Sequence, residues 1–66
     1  MINTLDALLA EHATAWWRNT NEADYVAQVN TTYDAYVAAG GNDAHYDANW
    51  RRMSDVARAA IVRKAA

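Results

Sequence analysis

Residues 33–50 read YDAYVAAGGNDAHYDANW, and this stretch decides the fold class. Tyr33, Tyr36 and Val37 recur at helical spacing before a pair of glycines, and an asparagine and an aspartate follow the pair. Glycine commonly ends a helix, because it adopts backbone conformations that other residues avoid, and short polar side chains commonly begin the next one. The stretch therefore predicts two helices joined by a short turn.

The same periodicity extends outward to both ends of the chain. A first helix is expected to begin at Asn3 or Thr4, and its apolar face is formed by Ile2, Leu5, Leu9, His12 and Trp16. The second helix is expected to begin near Thr20 or Asn21, with Glu22 and Asp24 in its first turn. The absence of proline favours long helices throughout. The predicted helices span approximately residues 4–18, 21–39 and 43–64.

These helices predict an all-α fold, a small three-helix bundle in one domain that covers residues 1–66. A helical hairpin completed by dimerisation is the alternative arrangement. The chain has three Trp and four Tyr but no Phe and no Cys, so the core is expected to pack aromatic rings against alanine. Without cysteine there is no disulfide and no thiolate zinc site to stabilise it.

Charge is distributed unevenly along the chain, although the formal net charge is only −2. Residues 1–50 contain seven acidic side chains and one base, Arg18, whereas residues 51–66 contain five bases and one acid, Asp55. Such asymmetry indicates a charged macromolecular partner. Acids at helix starts and bases at helix ends also complement the helix dipole and favour solubility, and this simpler explanation is preferred for the charge pattern by itself.

The acidic half of the chain predicts a protein partner. Carboxylates spaced over a helical surface can stand where phosphates would, and they are steered electrostatically toward a basic protein. We therefore predict a small non-enzymatic protein–protein interaction module and, more specifically, an inhibitor or modulator that docks on a nucleic-acid-handling protein complex. Aromatic contacts to that partner, or to a second copy of the chain, are expected from Trp17 and Tyr33. The predicted acidic surface consists of Asp6, Glu11, Glu22, Asp24, Asp34, Asp43 and Asp47.

The basic half supports an alternative function, a small helical nucleic-acid-binding protein that contacts phosphates with its third helix. Against this function, the acidic remainder of the surface would repel a phosphate backbone, and Asp55 can pair with a neighbouring arginine. The residues of this alternative face are Arg51, Arg52, Arg58 and Arg63.

The two histidines are the candidates for chemistry. Asp43, His45 and Asp47 alternate and could group around a metal in an extended loop, but in a helix His45 turns about 200° from Asp43. A helix-capping role is therefore preferred for this segment, whereas His12 is expected to be a neutral, hydrogen-bonded imidazole beside the core. Ser54 could complete a triad with His45 and an aspartate, but no nucleophile elbow accompanies them. We predict no enzymatic activity, no metal and no cofactor.

Trp17 does not fit the apolar face of the first helix, because it is rotated by about 100° from Trp16. It is expected either to cover the edge of the small core or to be an exposed interface anchor. The second helix has an apolar arc wider than two short neighbours can cover, so we also expect self-association through a surface that includes Trp17 and part of the tyrosine stripe of that helix.

A cytoplasmic location without membrane contact is expected. Asp6, Glu11 and His12 interrupt the most apolar run of the chain, and the N-terminus lacks the basic region of a secretory signal.

Overall fold

A computed structural model describes residues 4–65, which form three α-helices joined by two short connections. Helix α1 spans Thr4–Asn21, α2 spans Val26–Ala38 and α3 spans Asp43–Ala65. The helices pack into a body of 33 × 25 × 18 Å. The predicted all-α three-helix bundle is confirmed.

Helix α1 is central in the bundle. It packs against both α2 and α3, whereas the backbones of α2 and α3 stay apart and these helices meet through aromatic side chains. The connections at 22–25 and 39–42 reverse the chain, so α2 runs antiparallel to α1 and α3. One consequence is that the seam between α2 and α3 is filled by tyrosine rings.

The boundary between the first two helices differs from the prediction. Thr20 and Asn21 were expected to begin the second helix, but their side chains donate to the carbonyl oxygen of Trp17, at 2.8 and 2.7 Å, and they lie in the last turn of α1. Asp24 then takes a φ of +72°, which is outside the helical range. Glu22 and Asp24 consequently lie in the connection rather than in the first turn of α2. Of the predicted first helix, Ile2 and Asn3 lie outside the described residues.

The core is small and combines aliphatic, aromatic and alanine side chains. Leu9, Tyr36 and Met53 are its largest buried members, with at most 2% of each residue exposed. Tyr46 and Trp50 of α3 pack on this cluster and stack on each other, with ring centroids 5.0 Å apart and an interplanar angle of 8°. The buried alanines are Ala13, Ala15 and Ala57.

The glycine pair ends α2 in a Schellman motif. The Gly41 amide donates to the carbonyl oxygen of Tyr36 and the Gly40 amide to that of Val37, both at 3.0 Å. Gly40 has a φ of +105°, a conformation that residues with a Cβ rarely adopt. Gly41 is required for a different reason, because a Cβ atom at this position would overlap the Tyr36 ring. Asn42 then caps α3 by accepting the His45 amide at 2.9 Å.

We expect Gly41→Ala to lower the free energy of unfolding by about 1–3 kcal/mol, because the added methyl group forces the buried Tyr36 ring to move. Urea denaturation of the variant and of Ala44→Ser, an exposed change in the first turn of α3, measures this cost. A Gly41→Ala variant as stable as the parent would show that the ring does not pack against the turn.

Candidate functional site

A chain of hydrogen bonds joins the three helices at the end of the bundle that contains the 39–42 turn. Nε2 of His45 lies 3.0 Å from Oδ1 of Asp6, and Nδ1 of His45 lies 2.7 Å from the hydroxyl of Tyr36. Tyr36 is 1% exposed and Asp6 is 9% exposed. Each helix thus contributes one side chain to a connection that is largely closed to solvent.

The protonation of this chain follows from its geometry. Burial raises the pKa of Tyr36, so its hydroxyl retains its proton. A neutral His45 accepts a hydrogen bond from that hydroxyl at Nδ1 and donates one from Nε2 to the Asp6 carboxylate. The Tyr36 hydroxyl also lies 3.3 Å from the Asn42 carbonyl oxygen, so a protonated His45 can donate to the hydroxyl while the hydroxyl donates to Asn42. Both states of the imidazole are therefore paired.

Asp6 is not on the exposed surface where the sequence analysis placed it. Its second oxygen accepts a hydrogen bond from Nη2 of Arg52 at 3.1 Å, and Arg52 also donates to Oδ1 of Asn49 at 2.8 Å. These contacts compensate the burial of the carboxylate, which would be costly without partners. The sequence gives no local signal for them, because His45 and Arg52 follow Asp6 by 39 and 46 positions.

The Asp6, His45 and Tyr36 chain has the order of a hydrolase triad, but its geometry suits packing rather than nucleophilic attack. A nucleophile has to reach a substrate, and Tyr36 is sealed beneath the turn. Ser54, the hydroxyl that the sequence analysis considered beside His45, instead lies 2.6 Å from Nε1 of Trp17. The chain holds the three helices in register at this end of the bundle.

His12 is buried under aromatic rings, in agreement with the predicted neutral imidazole. Its Nδ1 lies 3.1 Å from the Thr32 hydroxyl, which itself donates to the Gln28 carbonyl oxygen at 2.7 Å. His12 therefore donates to Thr32 from Nδ1. Burial lowers the pKa of His12, which keeps the ring uncharged near neutral pH. The surrounding rings are those of Tyr33, Tyr46 and Trp50, with centroids 5.4, 6.2 and 5.8 Å away.

The other predicted acidic residues are exposed but lie in separate places. Glu22 and Asp24 lie in the connection between α1 and α2, whereas Asp43 and Asp47 lie one turn apart at the start of α3, at the opposite end of the bundle. The full exposed set is Glu11, Glu22, Asp24, Asp34, Asp43 and Asp47. The structure thus brings together only part of the predicted surface.

A concave surface lies beside the 39–42 turn, where α2 and α3 diverge. This hairpin pocket has a volume of about 250 Å³ and is lined by Tyr33, Tyr36, Val37, Gly41, Asn42, Asp43 and Tyr46. The Tyr33 and Tyr46 rings meet edge to face, with centroids 6.4 Å apart and an interplanar angle of 74°. Tyr33 is 41% exposed, so its ring is open to a partner.

Two acidic residues lie at or near the hairpin pocket. Asp43 is part of its lining, and no basic side chain is. Burial raises the pKa of Tyr46, and Tyr33, Tyr36 and the carboxylate of Asp47 raise it further. Burial is likewise the largest cause of the raised pKa of Tyr36, and the Asp43 carboxylate raises it further, so both carboxylates are close enough to influence the tyrosines of the pocket.

Trp17 covers the edge of the core, which is one of the two positions expected for it, whereas Trp16 is more exposed than its place on the apolar face of the first helix predicted. Trp16 is 41% exposed and meets Trp50 edge to face, with centroids 6.5 Å apart. Trp17 is half-buried against α3, where it donates to Ser54 and lies under the Arg58 guanidinium, 5.4 Å from the ring centroid. The structure therefore does not bring Trp17 and Tyr33 into one surface.

The basic residues of α3 do not form one stripe. Arg52 pairs with Asp6, and Arg58 covers the Trp17 ring. Arg51 and Arg63 are exposed, but their spacing of 12 places them about 120° apart around a helix. The four arginines predicted to bind phosphates therefore do not lie on one side of α3.

No protein-family model matches the chain, and no curated protein or solved structure is significantly similar to it. Within residues 4–65, no helix is both long and apolar enough to span a membrane. The same residues contain no group of three or more histidine or carboxylate side chains placed to hold a metal ion, and His45 turns toward Asp6 rather than toward Asp43 and Asp47.

We expect Tyr36→Phe to lower the free energy of unfolding by about 1–3 kcal/mol, because Nδ1 of His45 loses its buried partner. Tyr33→Phe is the matched control, since it removes a hydroxyl from a ring that is 41% exposed. Chemical denaturation at neutral pH compares the two. Equal costs for both variants would contradict a structural role for the Tyr36 hydroxyl.

We also expect acid to destabilise the protein through His12. Because the folded pKa lies below the ordinary value of 6.5, the unfolded chain binds the proton more readily. The contribution of neutral His12 to the free energy of unfolding is therefore complete above the unfolded pKa of 6.5, and it is lost as the pH falls through the folded pKa. The free energy of unfolding, measured by urea denaturation at pH 7.5 and 5.5, should fall less in His12→Gln than in the parent. The same loss of stability between pH 7.5 and 5.5 in both proteins would show that His12 does not contribute to the acid destabilisation.

Proposed function

We propose that this protein is a non-enzymatic interaction module that binds a basic protein partner through the hairpin pocket and the adjoining face of α2. The observation that carries this proposal is the exposed Tyr33 ring in a pocket lined by a carboxylate and free of basic residues. Interfaces are enriched in tyrosine, and exposed apolar patches rimmed by polar side chains commonly mark protein-binding sites.

The exposed face of α2 extends this surface. Val26, Tyr33 and Val37 follow at spacings of seven and four, which places them on one side of the helix, and they are 60%, 41% and 46% exposed. Helix α2 contains no basic residue, and its single acid is Asp34. An apolar strip beside carboxylates is complementary to a partner surface that joins apolar and cationic side chains.

A protein that handles nucleic acid presents such cationic surfaces, and carboxylates that occupy them would compete with phosphates. This reasoning supports the more specific proposal of an inhibitor or modulator of a nucleic-acid-handling complex. Direct nucleic-acid binding by α3 is less favoured, because Arg52 and Arg58 are engaged within the molecule.

Tyr33→Ala should abolish partner capture, because it removes the exposed aromatic anchor of the surface. The parent, Tyr33→Ala and Val56→Ala serve as immobilised baits in native lysate, with bound proteins quantified by mass spectrometry. Val56 is a matched control, since it is an apolar side chain 56% exposed on α3. Circular dichroism establishes that each bait is folded.

A protein bound equally by the parent and Val56→Ala, and lost from Tyr33→Ala, is the expected result. Capture that is indifferent to Tyr33 would contradict the proposed surface. A mobility shift of labelled DNA at low salt, abolished by Arg51→Ala, would instead favour the basic face of α3.

A further inference from the structure

We propose that the hairpin pocket receives the guanidinium group of an arginine in the partner protein, an inference that rests on the proposed function and specifies its chemistry. Tyr33 and Tyr46, whose rings meet edge to face, line the pocket together with Asp43. A planar cation can lie against a tyrosine face and at the same time donate hydrogen bonds to a carboxylate.

The size of the pocket suits one side chain. Its volume is about 250 Å³, below the range of roughly 300–1,000 Å³ that is typical of sites for drug-sized ligands. Val37 offers an apolar surface for the methylene stem of an arginine, and Asn42 adds polar groups at the rim. A single long side chain therefore fits this space.

The charge around the pocket selects a cation. Asp47 lies one turn after Asp43 on α3, close enough for its charge to affect Tyr46. No lysine or arginine of the described chain lines the pocket, and the nearest bases along α3 are Arg51, one turn after Asp47, and Arg52, which pairs with Asp6. The positive end of the α3 dipole opposes a bound cation with about half an elementary charge, which two carboxylates outweigh.

The protein already contains the same type of pairing at two other places. The Arg18 guanidinium lies over the Tyr25 ring, 5.6 Å from its centroid, and Arg58 lies over Trp17 at 5.4 Å. Within residues 4–65, the arginine pairs found over aromatic rings involve these two rings and neither Tyr33 nor Tyr46. The pocket thus offers tyrosine rings and a carboxylate in the combination that an arginine from another molecule can complete.

Arginine is favoured over lysine for a physical reason. The guanidinium is weakly hydrated and planar, so it gives up less hydration on a ring face and can bond both carboxylate oxygens, whereas ammonium is strongly hydrated. The partner chemistry is accordingly an arginine-bearing segment rather than positive charge in general.

The test is a titration of the full-length protein, followed by ¹H–¹⁵N NMR, with a seven-residue peptide of the pattern Gly-Gly-Arg-Gly-Arg-Gly-Gly. Two matched peptides replace both arginines by lysine or by uncharged citrulline. We expect amide shifts confined to residues 33–47 and an affinity about three- to tenfold higher for arginine than for lysine, with no measurable binding of citrulline. Asp43→Asn should weaken arginine binding by a similar factor, whereas Asp55→Asn should leave it unchanged.

Equal binding of the citrulline peptide, or shifts that map to Asp55 instead of the pocket, would overturn the inference. So would sedimentation equilibrium showing a parent dimer that Asp43→Asn dissociates, because the occupant would then be a second copy of this chain. If the arginine peptide does not bind but capture of a partner still depends on Tyr33, only the arginine recognition is rejected. If instead no protein is captured by the parent in a way that depends on Tyr33, the proposed function itself is rejected.

Discussion

The hydrogen-bonded chain from Asp6 through His45 to Tyr36 is the interaction on which the rest of this structure depends. It uses one side chain from each helix and buries polar groups that would destabilise the protein if any one lacked its partner. It also holds Tyr36 where its ring can pack against Gly41, which in turn fixes the direction in which α3 leaves the turn. The shape of the hairpin pocket follows from these constraints.

The central position of α1 explains why the same aromatic ring can pack on the core and also be exposed to solvent. Because the backbones of α2 and α3 remain apart, tyrosine rings have to fill the seam between them. A ring long enough to cross that gap packs against His12 at one side and reaches solvent at the other. Tyr33 shows both properties, since it lies 5.4 Å from the His12 ring and is still 41% exposed. The proposed binding surface is therefore the outer side of the core.

The sequence predicts the parts of this fold that depend on local spacing. Helical periodicity and the glycine pair identify three helices and the 39–42 turn, and the start of α3 at Asp43 agrees with the prediction. The end of α1 was missed because Thr and Asn can satisfy backbone groups at either end of a helix. Contacts between distant residues left no local pattern, so the burial of Asp6 and the exposure of Trp16 could not be predicted. Of the candidate site, Tyr33, Asp43 and Asp47 were named in advance as binding residues, whereas Tyr46 was not.

A double-mutant cycle between Asp6→Ala and Tyr36→Phe tests the central claim most directly. The two side chains bond opposite nitrogens of one imidazole, so loss of the first should change the cost of losing the second. Urea denaturation of the parent, both single variants and the double variant should give a coupling free energy of about 0.5–3 kcal/mol, while a parallel cycle of Asp6→Ala with Tyr33→Phe should be additive. Additivity in the first cycle, within about 0.3 kcal/mol, would contradict the account, because Asp6, His45 and Tyr36 would then contribute to stability independently.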